Sequence, residues 1–329
     1  MKRTILWLCK ALLSSLIAFV LLTGFCSLYY NVPVHRDTAD GATDYAWESH
    51  KFYSKGTEGF AWGKTNNEGY VNDYDYTDDT KVDILMMGSS HTEAYNVAMD
   101  ESATAVLGSL LPDETVYSIG ISGHNFIACA DNMSAAVEKY KPSKYVVLEI
   151  SVLRYSDADV RAAIDETLPE SSSQQEGIIG LLQKNPFCRL VYYQLQNFTG
   201  DAENADNADA SAQQHGSEEL YDELLRKLRT TVGRYGAELM IVYHPHLQLT
   251  EDNEITFAGH AEDRFFYAEM CQKNGVTFLD MTDTFVQNYR ENHILPHGFS
   301  NTTVGLGHLN KYGHAMVAEA IYQRIKEGN

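Results

Sequence analysis

The sequence lacks closely spaced cysteines and any cluster of basic residues, and each absence removes a class of protein. Its five cysteines, Cys9, Cys26, Cys129, Cys188 and Cys271, lie far apart. Two sit within or beside an apolar N-terminal run, and the other three are odd in number. Neither a disulfide framework nor a zinc or redox signature is indicated, so buried free thiols are expected. Lysine and arginine number 25 against 45 acidic residues, for a formal net charge of -20. Such a surface repels phosphate backbones, and nucleic acid is not expected as a partner. Neutral or cationic glycans and small acyl donors remain compatible with it. Hydrophobic residues make up 44% of 329, enough for a core and too many for wholesale disorder. No internal repeat is visible.

Residues 1–4 read as a short cytoplasmic tail and residues 5–30 as a transmembrane signal anchor. A helix needs about 20 apolar residues to cross the hydrocarbon core, and Ile5 to Tyr30 supplies that length. Lys2, Arg3 and Lys10 mark the cytoplasmic side, which places the rest outside the cell membrane as a single-pass, extracytoplasmic domain. An uncleaved anchor is favoured over a signal peptide because no small-x-small site follows the apolar run.

Residues 31–80, rich in Tyr, Asp, Gly and Trp, read as a juxtamembrane approach segment. From residue 81 to 329 the pattern is one domain. Short apolar runs at Val82–Met87, Val116–Ile119, Tyr145–Ile150, Leu239–Tyr243 and Val276–Leu279 alternate with helical stretches, the last at Tyr312–Ile325. The alternation predicts an α/β fold: a three-layer sandwich around a central, mostly parallel five-stranded sheet, plus the one N-terminal transmembrane helix. A low-complexity insertion at about 168–216 breaks the rhythm. Asp201–Ser217 cannot bury a core, and a short helix is placed at Gly177–Leu182.

Ligands of parallel α/β sheets collect at the carboxyl ends of the strands, where three loops fall. Gly88-Ser89-Ser90-His91 sits between a strand and a helix, where a serine is commonly just an N-cap but its N–H can also favour a developing oxyanion. Gly120-Ile121-Ser122-Gly123-His124-Asn125 offers glycine backbone for close approach. Gly307-His308-Leu309-Asn310 precedes the last helix, and His308 there can take the proton of Ser90. None of the loops is telling alone; their order is.

Together they resemble the SGNH/GDSL hydrolase superfamily. Gly88-Ser89-Ser90 looks like its Gly-Asp-Ser block, Ile119-Gly120-Ile121-Ser122-Gly123 like the second block, and His308-Leu309-Asn310 with Gly313 like the last. The resemblance implies a flavodoxin-like SGNH fold, Ser90 as nucleophile and His308 as base, with Ser90 and Gly123 as oxyanion donors. The anchor, the serine in place of aspartate and the segment Glu68-Gly69-Tyr70-Val71-Asn72 look most like membrane-bound surface acylation proteins, the alginate-type O-acetyltransferases and the D-alanyl transfer protein of teichoic acid. Two departures stand out. Leu153 lies near the place of the family's oxyanion asparagine, for which Asn125 is a substitute. Gly305 occupies the place of the triad aspartate, so Asp280 at the end of the fifth strand is the candidate orienting acid, with a Ser-His dyad as the alternative.

The remaining histidines, His91, His124, His244, His246 and His297, are candidates for lining the substrate loops; His244-Pro245-His246 has no further ligand at metal spacing, so no metal or other cofactor is expected. Asn132, Asn197 and Asn301 fit short glycosylation sequons. The resemblance implies a serine esterase or O-acyltransferase acting on a cell-surface polysaccharide, with a membrane-bound O-acyltransferase partner delivering the acyl group. The rival is a catalytically reduced domain that binds polysaccharide or scaffolds envelope assembly.

Overall fold

In the computed structural model, which describes residues 2–32, 46–168, 182, 184–199, 216–303 and 305–328, the apolar helix α1 (Lys2–Tyr29) runs directly into a small antiparallel sheet. That sheet is β1 (Tyr30–Asn31), β2 (Phe52–Lys55) and β3 (Ala61–Lys64). Then follow β4 (Ile84–Met87), α2 (Ser90–Glu93), α3 (Ala103–Leu110), β5 (Val116–Ser118), α4 (Phe126–Asp131), α5 (Met133–Tyr140), β6 (Tyr145–Ile150), α6 (Asp157–Asp165) and α7 (Pro186–Thr199). The chain continues through α8 (Glu218–Val232), β7 (Glu238–Tyr243), the hairpin β8 (Leu247–Leu249) and β9 (Ile255–Phe257), α9 (Arg264–Asn274), β10 (Thr277–Asp280), α10 (Thr282–Asn292) and α11 (Lys311–Gly328).

The five predicted strands form one sheet in the order β10-β7-β6-β4-β5, with every pairing parallel. Because successive side chains of a strand point to opposite faces, each strand feeds two cores. Leu85, Met87, Val146, Leu148, Leu239 and Ile241 face one side, under α4, α5, α6, α8 and α9. Ile84, Met86, Val147, Met240 and Val242 face the other, under α3, α10 and α11. Each fully buried aliphatic side chain contributes about 1.5–3 kcal/mol. The outcome is the expected three-layer α/β sandwich. α1 is long and apolar enough to cross a membrane.

Two segments differ from expectation. Residues 46–80 are more than an approach to the domain: Ala46, Trp47, Tyr53, Tyr70 and Val71 are buried in the first core. The aromatic residues that blur any periodicity in this stretch are the ones that bury it. Within 168–216, α7 lies along α1, where Phe187 meets Phe19 with ring centroids 5.9 Å apart. Of the helix expected at 177–182 only Leu182 is among the described residues, and nearly all of the low-complexity stretch at 201–217 lies outside them.

Candidate active site

The turn after β4 carries Ser90. A Cβ on Gly88 would meet Thr92 Oγ1 at 2.2 Å and Glu149 Oε2 at 2.6 Å, so only glycine lets the chain fold back this tightly. Ser89 then caps α2, and Ser90 stands half-buried as its first residue. His308 comes from the segment before α11. Leu309 beside it is buried, while the Asn310 side chain accepts from Tyr312 N and Gly313 N and starts the helix. Packing on one side of His308 and capping on the other aim its ring. His308 Nε2 lies 2.7 Å from Ser90 Oγ.

The acid beside this imidazole is Glu58, in the turn between β2 and β3. Its Oε2 lies 2.6 Å from His308 Nδ1, and its Oε1 accepts from His308 N at 2.7 Å. A carboxylate on Nδ1 assigns the ring proton there, leaving Nε2 as an acceptor facing the serine hydroxyl. Burial pushes the Glu58 carboxyl up, but the hydrogen bonds and charge of His308 outweigh it and hold the group below the ordinary value. The turn itself is clamped from the C-terminal region. Asn301 donates to Gly56 O and Gly59 O and accepts from Gly59 N, each at 2.9 Å. A Cβ on Gly307 would strike Glu58 Oε1 at 2.2 Å, which is why glycine precedes His308.

Two further carboxylates hold the nucleophile turn. Glu149, the penultimate residue of apolar β6, accepts from Ser89 N, Ser89 Oγ and Thr92 Oγ1 at 3.0–3.2 Å and pairs with His244 at 2.6 Å. Burial raises its pKa, and His244 with the other donors brings it below the usual range. Glu93 bonds Trp47 Nε1, Ser122 N and Ser122 Oγ, tying α2 to the Gly120–Gly123 turn. Here burial prevails, and the Glu93 carboxyl is raised.

Of the other candidates, Asp280 does not reach His308. It pairs with Arg264 at 3.2 Å and accepts from Thr282 N at 2.9 Å. The reason is topological: β10 is the sheet edge, three strand positions from β4, or roughly 14 Å at ordinary strand spacing. Gly123 adopts φ +87, and a Cβ there would meet nothing within 4 Å, so its peptide borders open space. Asn125 caps α4, its side-chain oxygen accepting from Ala128 N at 3.0 Å. Leu153 is buried in the core and Gly305 takes φ +79 in the loop.

The histidines do not line a substrate loop as a set. His244 is 0%, His297 1% and His91 7% exposed, and only His246 and His124 are half-buried. His91, His244 and His297 hold ligand atoms within 4.8 Å of one another. Hydrogen bonding argues against an ion there: Leu309 N donates to His91 Nδ1 at 3.1 Å, which leaves the proton of the neutral ring on Nε2. The amides of Asn132 and Asn301 are engaged within the fold; the Asn197 side chain lies outside the described residues.

Burial lowers the pKa of His91 and His297, that of His246 to about 4 and that of His314 to about 3. Below about pH 6.5 the unfolded chain therefore binds protons that the folded chain refuses. Stability is complete above that pH and falls as pH drops, by up to about 1.4 kcal/mol per unit for each such histidine. Thermal unfolding followed from about pH 7 to pH 5 is expected to show a steep loss of Tm, less steep in His314→Asn; a flat profile contradicts it.

Sequence reasoning missed Glu58, Glu93 and Glu149. Glu149 had a signal, a carboxylate inside the apolar run Tyr145–Ile150. Glu58 had none.

No family model matches the chain, and no curated protein matches it. Solved structures do. A protein from Desulfitobacterium hafniense DCB-2, described as lipolytic and of the G-D-S-L family, is 12% identical with a TM-score of 0.41, covering 73% of this chain and 97% of its own. The acetyl xylan esterase AlAXEase is 14% identical at 0.43, covering 74% and 98%. The psychrotrophic esterase EstA from Pseudoalteromonas is 14% identical at 0.38, covering 74% and 96%.

Proposed function

We propose that the protein is an extracytoplasmic serine esterase or O-acyltransferase of the SGNH type, anchored by α1 and acting on acyl groups of a cell-surface polysaccharide. One observation carries this reading: the unbroken chain of hydrogen bonds from Glu58 through His308 to Ser90. His308 Nε2 takes the hydroxyl proton as Ser90 Oγ attacks an ester carbonyl, and Glu58 stabilises the imidazolium. The N–H groups of Ser90 and Gly123, with Asn125 as a further donor, receive the oxyanion, each worth roughly 3–4 kcal/mol. Collapse breaks the bond to the leaving alkoxide, which takes the proton from His308. Water or a sugar hydroxyl, deprotonated by the same ring, then attacks the acyl-serine; the bond from the acyl carbon to Ser90 Oγ breaks, and Oγ takes the proton back from His308. Acetyl is the simplest group, and a membrane-bound O-acyltransferase is a fitting donor partner.

The rival, a catalytically reduced scaffold, drew on Gly305 and Leu153 in the places of the triad acid and the oxyanion asparagine; the Glu58 carboxylate 2.6 Å from His308 Nδ1 supports the enzymatic reading on the first count. The test is covalent. The full chain in detergent is treated with a fluorophosphonate, digested and sequenced by mass spectrometry. The expected adduct sits on Ser90, and an unlabelled Ser90 in folded protein removes the reading.

A further inference from the structure

The face from which α1 emerges is aromatic and basic, unlike the rest of an acidic chain. On the β2–β3 hairpin Phe60 is 59% and Trp62 57% exposed. Phe60 lies 6.5 Å from Tyr29 and 5.7 Å from Trp62 between ring centroids, and Tyr29 stacks on Phe25 at 5.6 Å. Ring contacts thus run without a break from the helix into the hairpin. Asn185, just before α7, bonds Thr23 at 3.2 Å; on α7 Tyr193 stacks on Tyr30 at 5.6 Å, while Val191 and Leu195 stay 41% and 59% exposed. Residues 51–64 and 184–199 hold five cations against one acid, Glu58, in a chain of net charge -20. Lys51 pairs with Glu48 at 3.4 Å and half-buried Arg189 donates to Val32 O, which leaves Lys55, Lys64 and Lys184 to meet lipid.

Exposed rings interleaved with cations are the pattern of a headgroup layer, where the aromatic body sits at the acyl boundary and cations meet lipid phosphate. The depth agrees. α7 and the residue before it meet α1 at Phe19 and Thr23, ten and six residues before Tyr29 and about 15 and 9 Å along a helix. The first turn of α7 thus reaches the acyl boundary and the later turns rise to the headgroups, where interfacial helices sink about 5–10 Å.

We infer that the β2–β3 hairpin and α7 lie in the headgroup layer of the phospholipid bilayer that α1 crosses, and that Ser90 works on acyl esters presented at that surface. The inference rests on the proposed anchor and nucleophile. Its link to chemistry is short: Glu58 and Phe60 share one turn, at most about 7 Å of extended chain apart. The hairpin that supplies the acid is the one that meets the lipid.

The test uses the full chain carrying Trp7→Phe, in vesicles of phosphatidylcholine and phosphatidylglycerol. Phosphatidylcholine spin-labelled near its headgroup is expected to quench the Trp62 emission about twofold, and the quenching disappears in Trp7→Phe/Trp62→Phe. If Trp62 is untouched by the lipid label and quenched by aqueous iodide as fully as in detergent, the face belongs to a protein partner and the inference is overturned. A second readout uses esters. Trp62→Glu and Val191→Glu keep the rate on p-nitrophenyl acetate but lose about tenfold on a long-chain p-nitrophenyl ester dissolved in the vesicles, since a charge on this face weakens insertion. Equal losses on both esters also overturn it. Should the unsubstituted chain hydrolyse neither ester, the proposed function fails, and quenching alone still decides the docking.

Discussion

Ser90→Ala is expected to lower kcat on p-nitrophenyl acetate about 10⁶-fold, to the residual rate that binding and oxyanion donors give without a nucleophile. The size follows from the role. His308 has nothing to deprotonate once the hydroxyl 2.7 Å away is gone, and water must attack the ester unaided. Ser90 is half-buried at the first position of a four-residue helix, capped by Ser89 and not by itself. Alanine there leaves the cap intact, so the unfolding midpoint should move little. Steady-state rates with matched circular dichroism melts decide it. Equal rates for the two proteins would remove Ser90 from the chemistry.

Glu58→Gln is expected to cost about 10⁴-fold in kcat with a nearly unchanged KM, the scale seen when a triad carboxylate becomes an amide. An amide can present its NH₂ to His308 Nδ1, which stabilises the tautomer with the proton on Nε2, facing Ser90. The charge that steadies the imidazolium is lost as well. Backbone support persists through the amide oxygen, which can still accept from His308 N as Glu58 Oε1 does at 2.7 Å. Because Ser90, His308 and Glu58 act as one unit, Ser90→Ala/Glu58→Gln should be no slower than Ser90→Ala alone. Asp280→Asn, by contrast, should leave kcat within about twofold, since Asp280 answers to Arg264 and Thr282. A large loss in Asp280→Asn with a silent Glu58→Gln would reverse the assignment.

Much of the sheet was legible because its runs are short, apolar and bounded by glycine, and Tyr145–Ile150 shows why: five of its six side chains are buried. The juxtaposition of Ser90 and His308 was readable for a related reason. Both sit at strand or helix boundaries that the topology sends to the carboxyl end of the sheet. Glu58 was not readable, since its partner lies 250 positions away. Its own neighbours, Thr57 and Gly59, look like any turn. Asp280 misled because a strand end is a necessary address and an insufficient one; its strand is at the wrong end of the row. Glu149 was readable and overlooked, for a carboxylate in a buried strand needs partners, and His244 with the Ser89–Thr92 turn supplies them.

β1 is only two residues long, yet it begins where α1 ends and pairs Tyr30 with Lys55 and Asn31 with Ser54 on the strand leading to Glu58. Tether and acid are thereby spliced. A soluble preparation made by cutting the chain after Asn31 strips the outer edge from the strand that delivers the carboxylate. Sluggish turnover by such a fragment would then report a loosened hinge at the bench, and say little about the protein in its native setting.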